Sequence, residues 1–484
     1  MNHRLRAVGA ATFALVLIVP ACSADKPTAK GSPCPVGAFE HATAPVNVTV
    51  WHSYVGKTRQ TLQSLADEYN AKHPKVHIDV QAQGNSYQEL LRNYAAVLPS
   101  KKLPAITIGE DIDTRYMVDT KSVLPAQSCI DADSDPRAKL SDMLPAIRNH
   151  YTVDGQLYPA TVNGSTVVIY YNKAHFKKAN LDPEKPPTTL DQLYDDAVKL
   201  KAAKASSGEP FVLKTDPWFV EHLITGAGQP IVDHDNGRSG LAEKSTFDNP
   251  ATHRIFEWLA KMKSAGLINA VAGTDSTIDH YLAMATGSAS MLLETSTAIT
   301  TVDGVINGTF NAADLGQADN PAVAKYNGVK IPLDIGVGPV PGLTEAGKGQ
   351  VGGGAWYITN TSSDEVKSAA WDFVKWYNET AQQARWTLEG SYLPIMKSVK
   401  DDPTVAKAFT SDQRGKWLAT ASGALATLDE KFNGPIIGPY TKVRDIIRGS
   451  IDKLLSGATT PDAAIKDADS GITAALADYK SVNG

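Results

Sequence analysis

Five aromatic residues could hold a small ligand, because each stands near a glycine, proline or serine or at the end of an apolar run. Flat aromatic rings stack on the C–H faces of sugars and polyols and on trimethylammonium groups. Nearby hydroxyl and carboxylate groups would then fix the orientation of such a ligand. For any one ring taken alone, burial in the core is the simpler interpretation. The five residues are Trp51, Tyr87, Trp218, Trp356 and Tyr392.

Two segments approach known ion-binding motifs, and each lacks a residue that the motif needs. Residues 342–349 nearly match the phosphate loop GxxxxGK[ST], but Gly349 replaces the metal-binding hydroxyl residue. Residues 131–142 resemble a calcium loop, with Pro136 where the sharp turn requires glycine and Asp142 where glutamate is usual. These departures favour a surface turn and a solvated acidic loop, with calcium near Asp131 left open. We predict no metal and no cofactor.

Hydrolytic chemistry has no marker in the sequence, which contains neither a GxSxG nucleophile elbow nor an HExxH zinc motif. Carboxylates are plentiful, so a glycosidase-like pair remains an alternative. We predict that the protein is not an enzyme, with no catalytic residues. The alternative is an exported hydrolase acting on a carbohydrate or polyol.

Strands and helices alternate in the first part of the chain, and they must position these side chains. Apolar alternation predicts strands over 46–50, 76–80 and 103–108, with an amphipathic helix over 62–69 and a capped helix over 86–98. This order is typical of an α/β domain with a mainly parallel sheet. Ligands of such sheets bind beyond the carboxyl ends of the strands. Trp51, Tyr87 and Glu110 follow strands and can therefore converge at one edge.

The remainder of the chain repeats this organisation. Strands are predicted over 166–171 and 289–293, a helix capped by Thr189 lies between them, and apolar stripes predict helices over 366–377 and 443–454. A length of 484 residues suits two or three domains. The net charge of −5 and pI near 6.1 exclude a strongly basic nucleic-acid binder.

The first residues predict export. Arg4 and Arg6 precede an apolar run from Ala7 to Val19, as in a secretory signal peptide. Cys22 follows a small residue and resembles the lipid-modified first residue of a mature lipoprotein. We therefore predict a signal peptide over 1–21 and a lipidated tether over 22–44, which place the protein outside the cytoplasm on the cell membrane. Ordinary cleavage nearby is the alternative.

Cys34 and Cys129 are the two cysteines that remain after Cys22. Thiol pairs outside the cytoplasm are usually oxidised. We predict a disulfide between them, and two free buried thiols are the alternative.

Several segments together resemble the carbohydrate-type extracellular solute-binding proteins of ABC importers, most closely the members that bind glycerol 3-phosphate. The most specific is Tyr-Tyr-Asn-Lys followed by Lys-Lys-Ala-Asn-Leu-Asp-Pro. The segments run in family order from about residue 45 to the C-terminus: Val50–Ser53, Leu65–Asn70, Asn163–Thr166, Tyr170–Lys173, Phe176–Pro183, Gly352–Ala355 and Tyr392–Ile395.

The resemblance implies a two-lobed α/β fold of the periplasmic-binding-protein type, with a central cleft between the lobes. It places the N-terminal lobe at 45–160 and 297–351 and the C-terminal lobe at 161–296 and 352–484. It also implies a monomer that closes on its ligand and is then recognised by the transmembrane subunits of an ABC permease. The interlobe crossovers would lie near residues 158–163, 294–300 and 350–354.

Ligand-binding positions carry over from the family one residue at a time. Glu110, with Asp111 beside it, would accept hydrogen bonds from glycerol hydroxyls. Tyr87, Ser165 and Tyr392 would donate to phosphoryl oxygens. The set implied by the resemblance is Tyr87, Glu110, Ser165, Trp218, Ser296 (or its neighbour Thr295), Gly353, Gly354 and Tyr392.

One position departs from the family pattern. Ile436 stands where the family has its phosphate-binding arginine. A buried phosphate would lose its strongest partner there, unless Lys431 or Arg444 replaces it. The ligand is therefore predicted only as a glycerol phosphate, a glycerophosphodiester or a small sugar.

Overall fold

Two five-stranded sheets organise the chain. The structure is a computed structural model that describes residues 34–273, 278–390, 392–429 and 433–483. The predicted signal peptide, Cys22, the tether as far as residue 33, and Lys431 lie outside the described residues. The strands are β1 (Val46–His52), β2 (Val76–Ala82), β3 (Ile106–Glu110), β4 (Thr152–Val153), β5 (Gln156–Leu157), β6 (Thr161–Ser165), β7 (Val167–Asn172), β8 (Phe211–Lys214), β9 (Ile268–Val271), β10 (Met291–Thr295), β11 (Ile335–Pro339) and β12 (Gly352–Ile358).

The first sheet has the order β2-β1-β3-β12-β6. β1 pairs in parallel with β2 and β3, whereas β12 is antiparallel to both β3 and β6. Four strands therefore run in one direction and β12 in the other, which confirms the mainly parallel arrangement. Because β12 is reversed, it begins at the edge where β3 and β6 end.

The second sheet has the order β11-β7-β10-β8-β9, and here β7 is the reversed strand. It is antiparallel to β10 and β11, while β8 is parallel to β10 and β9. All six residues of β7 are buried, as expected for a strand covered on both faces.

The helices cover the sheets and begin where the sequence predicts caps. The side chain of Ser86 accepts a hydrogen bond from the Glu89 amide, and Thr189 accepts one from the Gln192 amide. Within the described ranges, we find no helix with the length and apolar character needed to cross a bilayer. The helices are α1 (Gly56–Lys72), α2 (Tyr87–Val97), α3 (Thr114–Asp119), α4 (Ala126–Ala132), α5 (Pro145–His150), α6 (Lys173–Lys178), α7 (Leu190–Ala202), α8 (Pro217–Gly226), α9 (Asp233–Gly237, with a left-handed backbone), α10 (Pro250–Ser264), α11 (Asp279–Ala285), α12 (Ala298–Asn307), α13 (Pro321–Ala324), α14 (Asp364–Tyr377), α15 (Thr380–Glu389), α16 (Pro403–Ser411), α17 (Gln413–Ala426), α18 (Tyr440–Leu455) and α19 (Pro461–Asn483).

Two large hydrophobic clusters surround the sheets, and the first also includes residues of the second sheet, among them Tyr170, Leu292 and Ile335. Buried residues of α1, α2 and α14 to α17 pack with the first sheet. Buried residues of α7, α8, α10, α18 and α19 pack with the second sheet. The C-terminal part of the chain therefore contributes first to one core and then to the other.

The predicted lobe boundaries do not follow these sheets. β6 and β12 belong to the first sheet, although 161–296 and 352–484 were assigned to the C-terminal lobe. β11 belongs to the second sheet, although it falls within 297–351. The boundaries were implied by the resemblance alone; buried strands of both sheets have the same apolar pattern, so the sequence offered no independent sign of which sheet each strand joins. The first crossover accordingly lies between Ser165 and Val167, later than predicted.

Cys34 and Cys129 form a disulfide in the structure, across a sequence separation of 95 residues. Cys129 is fully buried on α4, so the bond fastens the first described residue to the core. Closing a loop of this length restricts the unfolded chain.

Replacing both cysteines with alanine should lower the free energy of unfolding by about 2–5 kcal/mol. Chemical denaturation of the oxidised wild type and the Cys34→Ala/Cys129→Ala variant measures this difference. Mass mapping without reductant should recover the linked peptides, and two alkylatable thiols in the native protein would refute the pairing.

Candidate ligand-binding cleft

The reversed strand β12 brings three predicted site positions to one edge of the first sheet. In the β-ladder, Gly354 pairs with Glu110 at the end of β3, and Gly352 pairs with Ser165 at the end of β6. A mainly parallel sheet binds ligands at this edge. The start of β12 therefore supplies backbone between a carboxylate on one side and a hydroxyl on the other.

The second sheet places Trp218 and Ser296 against the same edge. α8 follows the end of β8, and a Cβ atom at Gly352 would overlap the Trp218 ring and lie 3.1 Å from Ser165 Oγ. Ser296 follows β10; its amide donates to the Thr166 carbonyl at 2.8 Å, and its Oγ accepts from the Thr166 amide at 3.3 Å. Ser296 is fully buried and holds the crossover together.

The glycines at the start of β12 permit close approach of other groups. Gly353 has a φ of 117°, and a Cβ atom there would overlap the Asn163 carbonyl oxygen. A Cβ atom at Gly354 would lie 2.6 Å from the Tyr87 hydroxyl oxygen. Side chains at these two positions would therefore displace β6 and Tyr87.

Tyr87 and Tyr392 meet through their hydroxyl groups, whose oxygens are 2.8 Å apart. Tyr54 packs against both rings, and Trp386 stacks on Tyr392 with the centroids 5.9 Å apart. Burial raises the pKa of Tyr392 to about 12 and raises the pKa of Tyr87 well above its ordinary value. Both groups remain neutral hydroxyls; one donates to the other, and the second has a proton that it can donate to a ligand.

A buried ion network lies between the two sheets. Arg444 of α18 donates from Nη2 to Glu221 Oε2 at 2.8 Å and from Nη1 to Glu110 Oε1 at 3.4 Å. Glu221 also accepts from the Tyr440 hydroxyl and from Gln350 Nε2, each at 3.2 Å. One guanidinium is thus shared between two carboxylates.

Burial also changes the ionisation of neighbouring groups. It acts to lower the pKa of Arg444, but Glu221, Tyr440 and Glu110 outweigh it and hold this pKa well above its ordinary value. Burial raises the pKa of Asp111 to about 7 and that of Asp113 to about 8, with Arg444 acting in the opposite direction on both. Arg444 therefore stays charged, while burial favours the protonated forms of Asp111 and Asp113.

Asp113 should make the stability of the protein depend on pH. The pKa of Asp113 is about 8 in the folded state and about 4 in the unfolded chain, so the folded state holds the proton more tightly. The resulting stabilisation is fully present below about pH 4 and is lost as the pH rises through about 8. In Asp113→Asn, the melting temperature should fall less between pH 5 and pH 8 than in the wild type. The exposed Asp478→Asn on α19 is the control; identical pH profiles for Asp113→Asn and wild type would contradict this assignment.

A cavity of about 840 Å³ opens beside the tyrosine pair, within the size range of ligand sites. Tyr87 and Tyr392 line it together with hydroxyl-bearing residues of α1 and α12 and the guanidinium of Arg414. The other six predicted residues do not line this cavity; they surround the start of β12 or the adjoining crossover.

Sequence reasoning missed Tyr54, Trp386 and Glu221. Tyr54 stands just beyond the end of β1, so the strand-end argument could have found it. Glu221 lies three residues after Trp218 on α8, a spacing that puts both on one helix face.

Of the other aromatic candidates, Trp356 is a fully buried core residue, and Trp51 donates from Nε1 to Gln81 Oε1 at 3.1 Å.

The acidic segment over residues 131–142 is held by hydrogen bonds to other parts of the chain. Asp133 is buried and accepts hydrogen bonds from Trp371 Nε1 at 2.9 Å and Lys375 Nζ at 2.8 Å. Within the residues that the structure covers, no group of three or more His, Cys, Asp or Glu side chains could hold a metal ion.

Two sheets with facing carboxyl edges, joined by crossovers and bordered by a polar cavity, define a two-lobed binding protein of the periplasmic type. A family model described as bacterial extracellular solute-binding protein matches residues 64–411. The chain belongs to this family, which confirms the resemblance and the predicted fold class. The family consists of binding proteins that act outside the cytoplasm.

The sequences of several binding proteins align with most of the chain. The sn-glycerol-3-phosphate-binding periplasmic protein UgpB of Yersinia pseudotuberculosis is 28% identical over 441 residues, covering 88% of this chain and 91% of the relative. The protein of that name from Escherichia coli (strain 536) is 25% identical over 435 residues, covering 88% and 92%.

Solved structures share the fold. The cyclic alpha-maltosyl-1,6-maltose binding protein of Arthrobacter globiformis has a TM-score of 0.71 at 22% identity, covering 90% of this chain and 100% of that one. UgpB of Mycobacterium tuberculosis in complex with glycerophosphocholine has a TM-score of 0.69 at 16% identity, covering 91% and 100%.

Proposed function

We propose that the protein is the membrane-anchored binding component of an ABC importer, which captures a glycerol phosphate, glycerophosphodiester or small sugar and delivers it to the permease. The family membership and the relatives named for glycerol 3-phosphate support this proposal. Closure of the two lobes on the ligand would produce the state that the permease subunits recognise, because the ligand shifts the equilibrium towards the closed form. The protein would act as a monomer.

The ion network supports a ligand with little net charge, and it is the observation that carries the choice among these ligands. Among the described residues of this network, the one guanidinium is that of Arg444, which is already shared between Glu221 and Glu110. Ile436, at the position of the family's arginine, is apolar and 2% exposed. At the start of β12, a buried phosphate would find Arg444 already paired, which costs on the order of several kcal/mol, whereas one stacking contact returns less. Arg414 lies away from this point, on the wall of the cavity beside the tyrosine pair. A glycerophosphodiester or a neutral sugar should therefore bind better than glycerol 3-phosphate.

Calorimetry with purified protein tests the proposal. Glycerophosphocholine, maltose and glycerol 3-phosphate form the panel, and a thermal-shift series extends it to other polyols. A ligand at 100 times its dissociation constant should add about 2.7 kcal/mol to the stability. Binding without turnover supports a binding protein; glycerol 3-phosphate as the tightest ligand would overturn the charge argument, and no binding by any polyol or sugar would overturn the function.

Anchoring through Cys22 is the second part of the proposal. Cys22 follows the apolar run of the predicted signal peptide, as in lipid-modified proteins. In cells that carry Cys22→Ala, most of the protein should move from the membrane fraction to the soluble fraction, because no lipid would be attached. Fractionation and immunoblotting measure this change, and membrane retention equal to the wild type would refute the anchor.

A further inference from the structure

Glu221 is a buried carboxylate with a complete set of donors. It is fully buried on α8, and Arg444 donates to it from Nη2 at 2.8 Å and from Nε at 3.1 Å. The Tyr440 hydroxyl and Gln350 Nε2 donate to it as well, each at 3.2 Å. These contacts fix the carboxylate in one place, directly against the guanidinium.

The contact with Glu221 uses the part of Arg444 that would best bind a phosphate. Two N–H groups of a guanidinium form a planar fork that matches the oxygens of a carboxylate or a phosphate. Nε and Nη2 form this fork with Glu221, and Nη1 points to Glu110 at 3.4 Å. A dianionic phosphomonoester would have to displace a buried carboxylate to reach the same groups.

Polar atoms beside this network are suited to an uncharged partner. Gln88 Oε1 and Trp218 Nε1 are buried and have no hydrogen-bond partner within the described residues. Gln88 donates from Nε2 to Glu110 Oε2 at 3.4 Å, and the Trp218 ring packs against the backbone of Gly352. One acceptor and one donor complement hydroxyl groups, which can both donate and accept.

We propose that Glu221 is a specificity-determining residue: by occupying the fork of Arg444, it makes the cleft discriminate against dianionic phosphomonoesters and favour neutral or zwitterionic polyols. This inference rests on the proposed function, since it concerns the ligand of the same cleft. It assigns the selectivity to a residue of α8, one helical turn from Trp218.

The test compares two ligands in Glu221→Gln, which keeps the size of the side chain and removes its charge. Calorimetry gives the dissociation constants of glycerol 3-phosphate and glycerophosphocholine for wild type and variant. The ratio of the two constants should shift in favour of glycerol 3-phosphate by about tenfold or more, equivalent to about 1.4 kcal/mol. An unchanged ratio would overturn the inference.

Two further variants keep the test decisive. Glu221→Asp retains the charge and should keep the wild-type ratio; a shift as large as that of Glu221→Gln would mean that packing, rather than charge, is responsible. If Glu221→Gln does not fold, Glu110→Gln removes the other carboxylate on Arg444, and its ratio should shift in the same direction or the inference fails. A wild type that binds none of the panel would instead remove the proposed function, and this inference with it.

Discussion

An alanine at Gly353 should strongly destabilise the protein and abolish ligand binding. Gly353 has a φ of 117°, and the added Cβ atom would overlap the Asn163 carbonyl oxygen. Backbone strain and overpacking together should lower the free energy of unfolding by about 3 kcal/mol or more. The displaced backbone would also move β12 away from Glu110 and Ser165, with which its neighbours pair. Chemical denaturation and calorimetry measure the two effects.

Gly457→Ala is the matched control for this variant. Gly457 also has a positive φ, 78°, but a Cβ atom there would meet nothing within 4 Å. In Gly457→Ala, the free energy of unfolding should fall by only about 1–2 kcal/mol, the cost of a left-handed backbone at a residue with a side chain, and the ligand affinity should not change. Equal losses of stability in the two variants would mean that the close approach of β12 to β6 has no energetic importance.

Local elements of the fold could be predicted from the sequence because their signals are local. Alternating valines predicted β1, and Ser86 and Thr189 predicted the starts of α2 and α7. The membership of each sheet could not be predicted in this way. β12 lies between β3 and β6 although it follows β6 by almost two hundred residues. Such pairing depends on the whole chain, so no pattern within β12 indicates it.

The same distinction between local and long-range signals applies to the residues of the candidate site. The positions of Glu110, Tyr87 and Trp218 near strand ends could be anticipated from the strand pattern and from the family's ligand-binding positions, and the structure places them at the facing sheet edges or beside them. Their role in ligand binding stays a prediction. The ion pair of Glu221 and Arg444 could not be predicted, since the two residues are 223 positions apart and each alone reads as an ordinary charged helix residue. The proposed charge preference therefore depends on how α8 and α18 pack together, which no local pattern indicates.

Removing the ring of Trp218 should have the largest effect on affinity that leaves the fold intact. Trp218 is half-buried, its ring packs against the backbone of Gly352, and it precedes Glu221 by three residues on α8. An aromatic face contributes about 2 kcal/mol when it holds a desolvated cationic group. Trp218→Ala should therefore weaken glycerophosphocholine binding about 30-fold, as measured by calorimetry. The affinity for a neutral sugar should fall as well, because its C–H faces stack on the same ring.

Trp51→Ala distinguishes a cleft residue from a tryptophan that only supports the fold. Trp51 is also half-buried, but it lies within β1 and donates to Gln81 on the neighbouring strand. Its removal should lower the melting temperature and leave the dissociation constant unchanged, because the lost contacts are internal to the first sheet. Trp218→Ala should show the opposite pattern, with a small change in melting temperature and a large change in affinity. If both variants lost stability alone, Trp218 would be a packing residue and the ligand would bind elsewhere along the cleft.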